Sequence, residues 1–424
     1  MFRNLFLVLA RLFLLKKTSG FLFTQDEISF SENLKDIGLY LHIPFCRQIC
    51  PFCPYNKMLY DEDLATKYEA ALIRELNLYK KALGNVKFTS LYIGGGTPAT
   101  MIDSLSRVVS HARAIFDLGE DLGIEFHPND INAETLQKLK KMGVTLVSLG
   151  IQSFNDKLLK ILGRNYNGKQ AEDALNRVLA NGFKSVDVDL LFSLPTQKIE
   201  DIKSDILKLF NLGVDQVSCY PLIIFAFTKM PKILKKKDLK VPSLFQEKRM
   251  LDEIVDLAEK FGYQRTSIWS FTKKGSHRYT SVTREFFVGI GASASSRISG
   301  YFYVNTFSPE EYIKATRERL PIALVAKLNQ REEMGWWLFW RFYDSCLSKK
   351  RFRELFGKDV YQTFGTLFRI LNFLKITKEN GEYIRLTKTG AFLFQLVEQQ
   401  YSLSYLNKTW EILSKDPWPE KLEL

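Results

Sequence analysis

The sequence predicts an α/β protein: an open partial barrel of six parallel strand-and-helix units, followed by a helical, winged-helix-like unit at the C-terminal end. Three observations carry this. Strand-like apolar runs alternate with helix-like runs from Leu39 to Phe261, polar residues stand at the carboxyl ends of the strands, and beyond about Leu320 the pattern changes to helices around one hairpin. Parallel strands need long crossovers, and the helices that supply them cover the sheet, so regular alternation of this kind means a parallel sheet. At 424 residues and 46% hydrophobic content the chain exceeds one small core. It divides into an N-terminal segment (1–30), a main α/β unit (31–320) and a C-terminal helical unit (321–424).

The first stretch, Met1 to Phe23, has an apolar run from Leu5 to Leu15 broken by Arg11. The run falls short of the ~20 residues of a membrane span and has no small-residue cleavage site. Phe2, Leu5, Phe6, Leu9, Leu12 and Phe13 fall at helical spacing, with Lys16 and Lys17 at the end. An amphipathic helix is expected, docked on the protein itself or resting on a membrane.

Leu39 to Ile43 is the first barrel strand, ended by Pro44, and Cys46, Cys50 and Cys53 follow. Their C-x3-C-x2-C spacing brings three thiols to one metal cluster and leaves one iron of a four-iron cluster without a protein ligand. The alternative is zinc completed by His42, Cys219 or a distant histidine. Tyr55 stands where a fourth cysteine would be. Five cysteines in this length, three of them clustered, indicate a reducing compartment, and Cys219 and Cys346 read as buried fillers.

A helix over Asp63 to Leu83 leads to a strand, Thr89 to Ile93, which ends in Gly94-Gly95-Gly96-Thr97-Pro98. Without side chains there, the backbone can approach a ligand closely. The alternation continues with helix Ile102 to Phe116, strand Gly123 to Phe126, helix Ala133 to Met142 and strand Thr145 to Leu149. Helices Asp156 to Leu162 and Lys169 to Asn181 precede strand Ser185 to Leu191; helix Ile199 to Leu212, strand Gln216 to Pro221 and helix Phe245 to Phe261 close the series. Glu125, Gln152, Arg164 and Asp189 stand at or just past strand ends, where open α/β sheets place their active groups. Beyond Leu320, helices Glu332 to Tyr343 and Asp359 to Leu374 lead to a hairpin, Ile376 to Leu386, turning at Asn380-Gly381, then to a helix from Lys388 to Gln400.

The lead-in Tyr40-Leu-His-Ile-Pro-Phe-Cys46 with its cysteine spacing resembles the radical S-adenosylmethionine (SAM) superfamily, in its branch of oxygen-independent coproporphyrinogen III oxidase-like proteins. The resemblance runs from about Leu39 onward. Glu125-Phe-His-Pro, Gly150-Ile-Gln152-Ser, Leu162-Gly-Arg164 and Asp189-Leu-Leu-Phe-Ser-Leu-Pro match that family's blocks. It implies a [4Fe–4S] cluster on Cys46, Cys50 and Cys53, and one or two SAM molecules held by Gly94, Gly95, Gly96, Thr97, Glu125, Gln152, Arg164 and Asp189, with Tyr40 beside the cluster. His42 and His127 read as satisfied, partly buried histidines. Further implications are hydrogen abstraction from a tetrapyrrole-like substrate and an electron donor such as flavodoxin or ferredoxin. The cysteine usage gives a cytoplasmic location, and the amphipathic pattern of the N-terminal segment gives peripheral membrane contact as the alternative to docking on the protein itself.

The net charge of +13 fits nucleic acid, a membrane surface or a carboxylate-bearing molecule, and composition does not choose among them; the resemblance makes the C-terminal unit a lid rather than a nucleic-acid-binding module. Lys232 to Lys240 and Lys349 to Arg353 read as solvated surface. Trp336, Trp337 and Trp340 read as helix core, with a pocket wall as the alternative. Two departures, Tyr55 and the block Ser276-His-Arg-Tyr-Thr-Ser in place of a His-Asn-x-x-Tyr-Trp-like one, keep open a radical methyltransferase and a haem-binding chaperone.

Overall fold

A computed structural model describes residues 20–30, 34, 36–278 and 284–424. The amphipathic helix expected in Met1 to Phe23 lies outside these residues, except that the end of that stretch forms a strand. The strands are β1 (Leu22–Thr24), β2 (Ile37–Ile43), β3 (Phe45–Cys46), β4 (Met58–Leu59), β5 (Lys87–Gly95), β6 (Asp117–Phe126), β7 (Leu146–Gln152), β8 (Ser185–Phe192), β9 (Gln216–Pro221), β10 (Tyr263–Arg265), β11 (Ser270–Lys273), β12 (Phe286–Ile290), β13 (Ser295–Ile298), β14 (Tyr301–Asn305), β15 (Ile322–Lys327), β16 (Cys346–Ser348), β17 (Thr377–Asn380), β18 (Tyr383–Leu386) and β19 (Lys421–Glu423).

One sheet runs in the order β10-β11-β9-β8-β7-β6-β5-β2-β12-β13-β14-β15-β1-β19. Each neighbouring pair from β9 through β2 to β12 is parallel. The six expected strands are therefore joined by a seventh, β12, beside β2, and both flanks continue antiparallel. The sheet draws strands from both sides of residue 320.

The crossover helices begin and end where local chemistry dictates. Asp61 caps Glu62–Leu83, Asn132 caps Ala133–Met142, and Asn167 with Gln170 forms a capping box on Gly168–Ala180. Gly143 and Gly213 end their helices in the left-handed conformation, which L side chains resist. On β8 and β9 buried Val186, Val188 and Val217 alternate with Asp187, Asp189, Gln216 and Ser218, so the side of the sheet away from the helices is polar.

A buried seam joins β12 to β2. Glu75, fully buried on the Glu62–Leu83 helix, accepts hydrogen bonds from the Gly291 amide (2.8 Å), Asn305 Nδ2 (2.7 Å) and the Tyr312 hydroxyl (2.6 Å). Tyr68, two turns earlier on the same helix face, donates to the His42 carbonyl and accepts from the Ala292 amide.

The C-terminal unit has the expected winged-helix character, with helices Gln330–Tyr343, Lys349–Phe356 and Val360–Phe373 and a sheet ordered β16-β18-β17. Trp337, Phe352, Phe364, Phe368 and Ile384 form its core. The hairpin turns at Gly381-Glu382, one residue later than expected, with Asn380 paired to Tyr383 and Gly381 at φ 56°. The basic run from Lys349 is more than solvated surface: Lys349 pairs with Glu379, Arg351 with Glu285 and Arg353 with Glu382.

The last helix, Lys388–Leu413, continues well past Gln400. Its second half holds mixed aromatic and hydroxyl residues without an amphipathic stripe; tertiary anchors sustain it. The central anchor is buried Glu247, which accepts from Gln395 Nε2 (2.9 Å), Gln399 Nε2 (3.0 Å) and Ser193 Oγ (3.2 Å), while Gln395 Oε1 accepts from Trp269 Nε1 (3.1 Å). Removing one acceptor strands three donors in a dry interior. Glu247→Ala should destabilise the protein by about 2 kcal/mol or more, read as a lowered midpoint of urea unfolding; an unchanged midpoint would show that the anchor carries no stability.

Candidate active site

The site is built at the carboxyl ends of the parallel strands, beginning with the cysteine loop. Pro44 ends β2, and β3 pairs in parallel with β4 in the registers Phe45 to Met58 and Cys46 to Leu59, closing residues 47–57 into a loop. Three clamps hold it from outside: Gln48 Nε2 to the Gly163 carbonyl (2.8 Å), the Met230 amide to the Pro51 carbonyl (3.0 Å) and Trp410 Nε1 to the Pro54 carbonyl (2.8 Å). Lys57 Nζ donates to the Cys53 and Tyr55 carbonyls from within.

The glycine turn packs directly against this loop. Gly96 N donates to the Ile43 carbonyl and Thr97 N to the Phe45 carbonyl, each at 2.7 Å. A Cβ on Gly96 would stand 2.9 Å from Cys46 Sγ and 2.7 Å from the Phe45 oxygen; one on Gly94 would stand 2.9 Å from the Glu125 carboxylate. The glycines are therefore required by close approach to the thiol and the acid. Glu125 accepts from the Tyr92 hydroxyl (2.7 Å) and the Gly95 amide (3.3 Å), and burial raises its pKa. Tyr92 stacks on Tyr40, whose hydroxyl meets His42 Nδ1 at 3.1 Å, while His42 Nε2 lies 3.0 Å from the Asn56 carbonyl. A carbonyl only accepts, so Nε2 carries the proton and Nδ1 accepts from Tyr40.

On the opposite wall Arg164 Nη1 lies 3.4 Å from Cys50 Sγ and Nη2 donates to the Gly150 carbonyl; its Nε is buried without a partner among the described residues. Gln152 ends β7 at φ 71°, a conformation unfavourable for a residue with a Cβ. His127 accepts the Asn129 amide and meets Tyr166 edge to face; burial first, then Arg164, pushes it down to about 3. Asp189 shares Ser148 Oγ with Asp187, each at 3.2 Å, and Ser218 Oγ donates to Asp187. Burial, then the neighbouring Asp187 carboxylate, raises Asp189 well above the ordinary range, and burial raises Asp187. Asp187, Ser148, Gln216 and Ser218 were not among the candidates; the signal that finds them is the alternation of polar with apolar residues inside strands whose two faces should both be apolar.

All these elements surround one cavity of about 620 Å³. Cys46, Cys50, Cys53, Tyr40, Gly95, Gly96, Thr97, Glu125, Gln152, Arg164 and Asp189 line it, and Gly94 lies behind Glu125. Trp336 and Trp340 also face it, whereas Trp337 is core of the winged unit. Cys219 is buried in the main core.

The donor set fits an iron–sulfur cluster. All three cysteines are free thiols; burial pushes Cys46 up to about 12 against the Thr97 hydrogen bond, so this thiol ionises when a cation compensates it. Among the described residues no three His, Cys, Asp or Glu side chains stand close enough to hold one ion. A cubane requires a different arrangement, one thiolate for each of several irons. His42, with both ring nitrogens engaged, is not placed as a fourth ligand.

The family model described as the Radical SAM superfamily matches residues 40–209. Over 381 residues the chain is 30% identical to the haem chaperone HemW of Lactococcus lactis, covering 88% of this chain and 99% of that protein. It is 29% identical over 292 residues to the oxygen-independent coproporphyrinogen III oxidase of Paracoccus denitrificans, covering 62% and 63% of the two chains. The fold is similar to that of the solved Escherichia coli coproporphyrinogen III oxidase HemN, with a TM-score of 0.73 at 22% identity, covering 86% and 90%.

Two outcomes follow from the geometry. Burial pushes His42 down to about 4. Above about pH 6.5 it is neutral both folded and unfolded, and below that the unfolded chain binds a proton that the folded one refuses until about 4. Stability should therefore fall across that window, with a shallower fall in His42→Gln; equal slopes would contradict the assignment. Gly96→Ala should fold but hold clearly less iron after anaerobic reconstitution, because its methyl group occupies space at Cys46 Sγ, and full iron loading would refute the packing argument.

Proposed function

The chain belongs to the radical SAM superfamily, in the branch that includes oxygen-independent coproporphyrinogen III oxidases and haem chaperones, and from that membership we propose that it abstracts hydrogen from a tetrapyrrole-like substrate. Membership implies a [4Fe–4S] cluster and SAM; when bound, they supply reductive cleavage of SAM and a carbon radical that takes a hydrogen atom. Cys46, Cys50 and Cys53 would hold the cluster. The Gly94–Thr97 turn, Glu125, Gln152, Arg164 and Asp189 bind and orient SAM, with Tyr40 beside the cluster. The C-terminal unit, residues 321–424, serves as the lid that excludes water. An external one-electron donor of the flavodoxin or ferredoxin kind is required, and the setting is the reducing cytoplasm. Among the described residues no helix is long and apolar enough to cross a membrane; any membrane contact belongs to the N-terminal segment.

What supports this reading is that three free thiols and the resemblance-assigned cofactor contacts share one cavity at the carboxyl ends of parallel strands. A haem chaperone is the second reading, favoured by the relative of that name that aligns over 88% of this chain and by Tyr55 in place of a fourth cysteine.

Anaerobic reconstitution followed by mass spectrometry of SAM products is the test. Wild type should release 5′-deoxyadenosine, whereas Glu125→Ala and Asp189→Ala should lose it at unchanged iron content, with SAM binding weakened about tenfold or more by loss of a hydrogen bond to a charged ligand. Haem retained by purified protein that never cleaves SAM would establish the chaperone instead.

A further inference from the structure

Glu398 stands in the middle of the Lys388–Leu413 helix, lines the cavity and is only 5% exposed. Its Oε1 accepts from Ser402 Oγ (2.7 Å), one turn on. Its Oε2 is buried with no hydrogen-bond partner among the described residues. A buried carboxylate oxygen with nothing to accept from is strongly unfavourable, and burial accordingly pushes this acid up to about 7. Nothing in the fold needs the second oxygen.

Its surroundings define what would satisfy it. Trp340, Tyr343, Tyr401, Tyr405 and Trp410 share the same cavity wall, and burial, then the Glu398 charge, holds the Tyr343 phenol up. Aromatic walls suit a flat or puckered apolar ring system, and a lone acceptor among them suits a ring that carries an N–H.

Resting on the reading that this cavity receives a tetrapyrrole, we propose that Glu398 is a specificity residue whose Oε2 accepts a hydrogen bond from a pyrrole N–H, so that the site selects a metal-free ring over a metal-loaded one. A pyrrole nitrogen bound to a metal has no hydrogen to donate. Selection therefore comes from satisfying the carboxylate oxygen only when a ring with an N–H enters.

The test is an anaerobic titration of coproporphyrinogen III and of zinc coproporphyrin III into wild type, Glu398→Leu and Glu398→Gln, read by tryptophan fluorescence quenching. Glu398→Leu should bind the porphyrinogen about tenfold or more weakly and the zinc complex as wild type does. Glu398→Gln, which keeps a carbonyl acceptor, should recover part of the loss. The thermal midpoint of the Leu variant should rise, because an unsatisfied carboxylate has been removed; a purely structural role would lower it. If the Leu variant does not fold, selective weakening of the porphyrinogen in the Gln variant decides. Wild type binding both rings, with equal or no loss in the variants, overturns the role of Glu398 alone. Wild type binding neither ring overturns the tetrapyrrole reading and this proposal with it.

Discussion

The carboxylate of Glu75 holds the joint at which the chain returns to its first barrel strand. The whole βα series lies between β2 and β12, so their pairing must offset the entropy of closing a very long loop. Glu75 does so with three donors from the returning segment, at a burial cost that pushes the acid up to about 8. Gly291, at φ 109°, has to be glycine: a Cβ would stand 2.6 Å from both the His42 oxygen and the Tyr68 hydroxyl. These contacts fix the end of β2, and the end of β2 fixes where Pro44 turns the chain into the cysteine loop. The site therefore depends on a joint that contains none of its ligands.

Much of this architecture could be read in the sequence, because parallel strands buried on the helix side leave apolar runs and the crossovers carry their own caps. The cysteine spacing and the glycine turn were legible for a similar reason, being local. What escaped was set by pairing across distance. Phe286–Ile290 is a short apolar run whose parallel partner, β2, nothing local identifies. The first half of β6, Asp117 to Asp121, is polar and holds a glycine, yet its ladder to β5 makes it a strand. Asp187 and Ser218 look like isolated polar residues in apolar strands until the sheet shows that they face one another. Three-residue β16 is too short for any periodicity to show.

The cavity has two chemically distinct ends. Around the thiols stand buried acids and a guanidinium, each held by backbone or hydroxyl partners, an arrangement suited to a zwitterionic, sulfonium-bearing cofactor. Toward the winged unit the wall is mostly aromatic and belongs largely to two helices, Gln330–Tyr343 and Lys388–Leu413. The barrel thus supplies fixed polar geometry, and the appended unit supplies shape.

The last helix has a mechanical consequence. At 26 residues it is a rod about 39 Å long. It starts at the winged hairpin, is pinned near its middle by Glu247, and reaches the cysteine loop through Trp410 and Pro54. A stiff member tied at three points does not hinge locally. The wing, the Glu247 seam and the cysteine loop therefore share one continuous strut, so the position of the aromatic wall is set by the same member that clamps the loop.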